Sequence, residues 1–190
     1  MTRANEGRRN NEVQERLIEK LISVRRVTKV VKGGKNMRFS VLVVVGDGKG
    51  RAGYATAKAR EVPDAVRKAS EKAKKSMIRI SLREGRTIRH DVSARVGAGH
   101  VILRTASAGT GVIAGGPMRS IFTAFGVQDI VSKSVGSSNY HSVVRATFIA
   151  LRDVVSPKQI AFKLGKKLQE ITKRMSTGRK SGGILEEGQE

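Results

Sequence analysis

The chain has 190 residues, and 38 Lys and Arg against 16 Asp and Glu give a formal charge of +22. It contains no cysteine, which excludes a disulfide framework, a thiol nucleophile and a cysteine zinc site. Its longest aliphatic run, Val41 to Val45, falls far short of the roughly 18 residues of a membrane span. The first residues carry no apolar segment of the secretion-signal kind, so a soluble intracellular protein is expected. Like charges repel and weaken a compact fold unless a polyanion screens them. Nucleic acid is therefore the expected partner, ahead of a membrane surface. The excess is spread along the chain, with 21 basic and 8 acidic residues in 1–80 and 17 and 8 in 81–190. Aromatic residues make up only 4%, so backbone and shape recognition is favoured over base stacking.

Residues 1–11 are polar and are expected to form a flexible extension. Val13, Leu17, Ile18 and Leu21 recur at helical spacing and predict a short helix. From Val24 to Val31 the pattern turns β-branched with Arg25, Arg26 and Lys29 interleaved. Lys32-Gly33-Gly34-Lys35 reads as a tight turn in which both glycines are free to take positive φ. Phe39 to Val45 is the strongest strand signal, Gly46 to Gly50 reads as a second hairpin turn, and Arg51 to Lys58 as a third strand. Val62, Ala65, Val66, Ala69, Ala73 and Met77 predict a long amphipathic helix with Pro63 in its first turn. Lys68, Lys72 and Lys75 form a stripe on its polar side. The expected order over residues 12–80 is α-β-β-β-α, followed by a linker at 81–86.

The second unit, 87–165, opens with strand-like Thr87–Val96 and Val101–Thr105. Six of the 21 glycines then fall between Gly97 and Gly116. Pro117 opens a helix through Met118, Ile121, Phe122 and Phe125, which Gly126 closes. Val127–Val135 reads as a strand, and Gly136-Ser137-Ser138-Asn139 as a turn and cap. A helix through Val143, Val144, Thr147, Phe148 and Leu151 follows, and Ser156-Pro157 caps another that ends at Gly165. A basic helix and a disordered Gly-, Ser- and Glu-rich tail are expected over 166–190. The whole reads as α+β.

Few motifs promise chemistry. Gly48-Lys49-Gly50-Arg51-Ala52-Gly53 matches a dinucleotide fingerprint, but a strand rather than a helix follows it, so a hairpin is expected. Gly109-Thr110-Gly111-Val112-Ile113-Ala114-Gly115-Gly116 resembles a phosphate loop without the Lys-Ser or Lys-Thr of a nucleotide site. Two readings of it stay open: backbone amides meeting an RNA phosphate, or a close-packed protein interface. His90, His100 and His141 lack metal-ligand spacing, and the carboxylates are scattered, which speaks against an enzyme or a metal site. Arg25, Arg26, Lys29, Lys32, Lys35 and Arg38 place six cations on one hairpin within 14 residues, the clearest nucleic-acid signal in the chain.

Three N-terminal runs, Arg26 to Gly34, Val44 to Arg51 and Lys58 to Pro63, resemble the bacterial small-subunit ribosomal protein S5 family. Gly109 to Arg119 and Gly136 to Asn139 with Val143 to Thr147 agree, at the family's spacing over roughly 12–165. Tyr140-His141 departs from the family's more usual Pro-Ile-type stretch. The resemblance implies a double-stranded-RNA-binding-like N-terminal domain and a C-terminal S5 domain 2-like α/β sandwich. It also implies a non-enzymatic constituent of the cytoplasmic small ribosomal subunit, with no cofactor. Such a protein binds small-subunit rRNA and messenger RNA near the entry site, touches ribosomal proteins S4 and S8, supports decoding accuracy and assists messenger unwinding. The expected RNA contacts are Arg25, Arg26, Lys29, Lys32, Gly33, Gly34, Lys35, Arg38, Lys49, Arg51, Lys58, Arg60, Lys68 and Lys72. Gly111, Gly115, Gly116 and Arg119 are expected at the protein interface with S4.

Overall fold

The computed structural model describes residues 17–167 and 169–171. Four strands form a first antiparallel sheet in the order β1-β2-β3-β4: β1 Ile18–Val31, β2 Gly34–Gly46, β3 Arg51–Ala59 and the short β4 Ile78–Arg79. Helix α1, Val62–Lys75, runs between β3 and β4, with Pro63 in its first turn. The second sheet has the order β5-β6-β8-β7, from β5 Val92–Val96, β6 Gly99–Thr105, β7 Val112–Ile113 and β8 Ile130–Val135. Helix α2, Gly116–Phe125, crosses from β7 to its parallel neighbour β8. Helices α3, Tyr140–Arg152, and α4, Pro157–Leu164, follow.

The helix expected from Val13 to Leu21 is corrected in its second half: Ile18 to Leu21 belong to β1 and pair with Gly46 to Val43 of β2. The first half, and the expected extension at 1–11, lie outside the described residues, as does most of 166–190. The physical reason is the demand of β2. It is buried from Val41 to Gly46 and its backbone there needs a hydrogen-bonded neighbour, which β1 supplies from Val24 back to Ile18. A bulge between Leu21 and Ser23 lets Ile22 pack against the core. Among the described residues the N-terminal half is therefore β-β-β-α-β, without a leading helix.

β2 explains how the two halves are joined. Val41, Val43 and Val45 face α1 and pack on Ala57, Ala65, Ala69 and Ala73. Leu42 and Val44, on the opposite face, join a second cluster with Phe122, Phe125, Phe148 and Leu151 from α2 and α3. The strand is thus apolar on both sides because it is covered on both sides. Tyr54 of β3 meets Phe148 with ring centroids 4.5 Å apart, and Phe148 meets Phe125 at 5.5 Å.

Two expected strands are shorter than predicted. In 87–91, His90 Nε2 accepts the Val155 N–H at 3.1 Å, and Asp91 Oδ1 accepts the Thr105 N–H at 2.8 Å. These side chains tie the chain down before β5 begins at Val92. In 127–129, the Val127 N–H goes back to the Phe122 carbonyl, and Gln128 and Asp129 donate to the Arg86 carbonyl, so β8 starts only at Ile130. Segment 82–86 is a tight turn: Arg83 and Thr87 form an isolated bridge, with Glu84 at φ 53° and Gly85 at φ 69°.

Candidate nucleic-acid interface

The β1–β2 hairpin runs past the body of the protein. Residues 28–38 are exposed throughout, and five residue steps from Arg26 to Val31 carry it about 17 Å. Opposed residues share a face, so the register sorts its cations. Arg25 lies opposite Ser40, which lies opposite Lys58 of β3. That face also carries Arg38 and Lys29, opposite Val27 and Asn36. The other face, on the α1 side, carries Arg26 and Lys35, opposite Phe39 and Val30, and the Arg26 guanidinium meets the Met37 sulfur. The six cations, one cluster in the sequence, are therefore two opposed sets joined by the turn at Lys32 and Gly33. At that turn Gly34 alone of the two glycines takes a positive φ, 134°. An added Cβ on either glycine would meet nothing among the described residues within 4 Å.

The remaining expected contacts are distributed. Lys58 and Arg60 are exposed at the end of β3. Lys68 and Lys72 are exposed on α1, while Lys74 bridges to Glu19 of β1 at 3.1 Å. Burial pushes the Glu19 carboxyl upward, but the Ser70 hydroxyl and Lys74 outweigh it and hold its pKa below the ordinary value.

Lys49 and Arg51 flank a loop with a second task. Asp47 Oδ1 accepts the N–H groups of Lys49 at 2.7 Å and Arg51 at 2.9 Å. The turn so formed sends the Gly48 N–H to the Ala124 carbonyl at 3.0 Å and the Gly50 N–H to the Phe125 carbonyl at 2.8 Å. The last carbonyls of a helix have no partner within it; here the glycine hairpin caps α2. A Cβ on Gly46 would collide with the Ala124 carbonyl, and one on Gly126 with that of Gly48. The GxGxxG match is thus a hairpin between β2 and β3, as expected, and it docks the two halves of the chain.

The second glycine loop is held from inside. Asp129, 2% exposed, accepts the N–H groups of Gly109 at 3.0 Å and Gly111 at 2.9 Å through Oδ1, and Arg86 Nε at 3.0 Å through Oδ2. The Gly111 N–H, with Arg86 and Gly109, holds its pKa below the ordinary carboxylate value against the upward push of burial. Two amides offered to a phosphate in the first of the open readings are occupied by the protein's own carboxylate. Gly115 and Gly116 open α2, and the Arg119 N–H returns to the Gly115 carbonyl at 2.9 Å.

Sequence reading missed Asp129, and it missed Arg145 and Arg152 of α3. The signal for the two arginines was present: they occupy the exposed positions left once Val143, Val144, Thr147, Phe148 and Leu151 are assigned to the core. His141 stands beside them. Burial first, then the charges of Arg25 and Arg145, lower its pKa below the usual imidazole value.

A long basic arm, further exposed cations on β3 and α1, and Asp47, Asp91 and Asp129 committed to backbone amides are the features of a protein that organises nucleic acid. Comparison with known proteins makes the class specific. Residues 17–81 match the family described as ribosomal protein S5, N-terminal domain, and residues 94–163 match ribosomal protein S5, C-terminal domain. The small ribosomal subunit protein uS5 of Hyphomonas neptunium is 54% identical over 178 residues, covering 94% of this chain and 88% of that protein. The uS5 protein of Methylorubrum extorquens strain PA1 is 55% identical over 177 residues, 92% of each chain. That of Granulibacter bethesdensis is 52% identical over 188 residues, 99% of this chain and 96% of the relative. The chain belongs to the ribosomal protein S5 family, and is a structural, non-enzymatic component of the small ribosomal subunit.

Proposed function

We propose that the chain binds small-subunit rRNA chiefly through the β1–β2 hairpin, neutralising phosphates where RNA helices crowd together. The observation that carries this reading is the hairpin itself: cations on both faces of an arm that leaves the core, with an open glycine tip able to approach RNA closely. Arg25, Arg26, Lys29, Lys32, Lys35 and Arg38 bind the backbone, Gly33 and Gly34 permit close approach, and Lys49, Arg51, Lys58, Arg60, Lys68 and Lys72 extend the surface. The loop Gly111 to Arg119 meets ribosomal protein S4, where Gly111, Gly115, Gly116 and Arg119 form a contact that influences decoding accuracy. Its support is that the loop's inward amides are already used, which leaves the outer surface for a protein. Ribosomal protein S8 is a further neighbour, and basic residues near the messenger entry hold separated strands without nucleotide hydrolysis.

The division into units at 12–80 and 87–165 joined by 81–86 belongs to the same reading, supported by the two separate family matches. The strand-strand-strand-helix order supports a double-stranded-RNA-binding-like first unit, and one sheet backed by α2 and α3 supports an S5 domain 2-like sandwich. The test is binding to small-subunit rRNA over a salt series. Neutralising Arg25, Lys29 and Arg38 should lower the slope of log K against log salt by about 2 to 3, at roughly 0.7 to 0.9 per phosphate. A slope that does not change refutes the role of the hairpin.

A further inference from the structure

We propose that the groove between α1, β3 and α3 is a second RNA-backbone site, continuous with the α3-side face of the hairpin. The groove has a volume of about 750 Å³. Lys72 stands on its α1 wall, His141, Arg145 and Arg152 on its α3 wall, and Tyr54 and Phe148 in its floor. Among the described residues no carboxylate lines it. Among the described residues none of Lys72, Arg145 and Arg152 is in an ion pair, whereas Arg67 and Lys74 nearby on α1 are matched by Asp64 and Glu19. Cations converging without a counter-ion repel one another, and a bound polyanion relieves that repulsion.

The groove also has direction. At one end Arg25 is close enough for its charge to act on His141, and Arg25 begins the cross-strand row that ends at Lys58. At the other end Arg152 is shared with a larger cleft of about 1250 Å³, whose walls carry Lys49, Arg79, Lys158 and Lys163 against one carboxylate, Asp153. Arg145 and Arg152, two turns apart, sit about 10 Å from each other along the axis of α3. A continuous track of this kind fits an extended, repeating anion. An RNA strand is favoured over an acidic peptide because the track begins at the arm assigned to RNA. The proposal rests on that assignment.

The experiment uses the full chain and small-subunit rRNA over a salt series. The double variant Arg145→Gln/Arg152→Gln is compared with wild type and with Arg104→Gln/Lys133→Gln, an equal charge change at exposed positions on the C-terminal sheet. The groove variant should lower the salt slope by about 1.4 to 1.8 and weaken binding by about tenfold, with the sheet variant near wild type. Equal losses from both pairs, or an unchanged slope in the groove pair, overturn the groove site. Failure of wild type to bind rRNA overturns instead the broader reading on which it rests. Amine labelling of the wild-type protein supplies a readout independent of variant folding. RNA should protect Lys72 and leave Lys133 reactive, and a Lys72 that stays fully reactive in the complex also overturns the proposal.

Discussion

Replacing Gly126 by Ala should destabilise the whole chain, through two separable costs. Gly126 closes α2 at φ 78°, where a side chain costs about 1 to 2 kcal/mol. Its added Cβ would also strike the Gly48 carbonyl, a rigid backbone group held by the Gly48–Ala124 and Gly50–Phe125 hydrogen bonds. Moving that loop away costs about 1 to 3 kcal/mol, as overpacking does. The total is about 3 kcal/mol. For a protein of this size each kcal/mol lowers the melting temperature by about 2 to 4 °C, so a drop of about 6 to 12 °C is predicted. Gly97→Ala is the matched control, because Gly97 has φ 58° and an added Cβ there meets nothing among the described residues within 4 Å. It should show the conformational cost alone, about 1 to 2 kcal/mol and so about 2 to 8 °C. The chain has no tryptophan, so far-ultraviolet circular dichroism is the appropriate probe. If Gly126→Ala loses no more than Gly97→Ala, the loop does not lock the two halves together and the docking account is wrong.

Three further outcomes are predicted. Asp129→Asn should speed hydrogen exchange at the Gly109 and Gly111 amides while leaving the β2 amides protected. In the wild type the same carboxylate, whose pKa is lowered on folding, contributes stability above its unfolded pKa and loses it as pH falls through the folded value; Gly109 and Gly111 amide shifts that do not move in acid would refute this. The His141 ring should titrate below 6.5 by proton NMR, and Arg25→Gln/Arg145→Gln should move its midpoint upward. Because its folded pKa is lowered, His141 should reduce stability as pH falls below the unfolded value, with the reduction complete below the folded one. Finally, a fragment ending at residue 86 should bind a hydrophobic dye more strongly than the full chain, because Leu42, Val44 and Tyr54 lose their cover from α2 and α3; weak dye binding would argue against the shared core.

The elements legible in the sequence were those that local rules specify. Pro117 with Gly126 bounded α2, the Ser156 capping box bounded the start of α4, and the unbroken Val41–Val45 run marked β2. Ile18 to Leu21 misled because four apolar residues fit a helical repeat, while the demand that made them a strand came from residues more than 20 positions away. The basic hairpin was legible as a charged hairpin, but its two opposed faces required the register. Asp129 was invisible for a similar reason: an acidic residue between Gln128 and Ile130 gives no sign that it accepts amides from 18 and 20 positions upstream. His90 and Asp91 likewise show their structural work only through Val155 and Thr105.

The double-sided β2 bears on the order in which the ribosome makes this chain. Residues 17–80 contain every strand of the first sheet and all of α1, so that half can pair its backbone soon after it emerges. The cluster that covers Leu42 and Val44 runs on to Leu151 and Val154, some 70 residues later. At about 5 to 20 residues per second, the sheet carries a bare apolar face for roughly 4 to 14 s. A newborn chain of this family therefore passes through a stage with one finished face and one sticky face, on a cation-rich molecule. The helices that close that face also carry Arg145 and Arg152 into place beside Lys72. Completion of the core and assembly of the basic groove are thus one event, and a chain that has not finished folding does not present the full track to RNA.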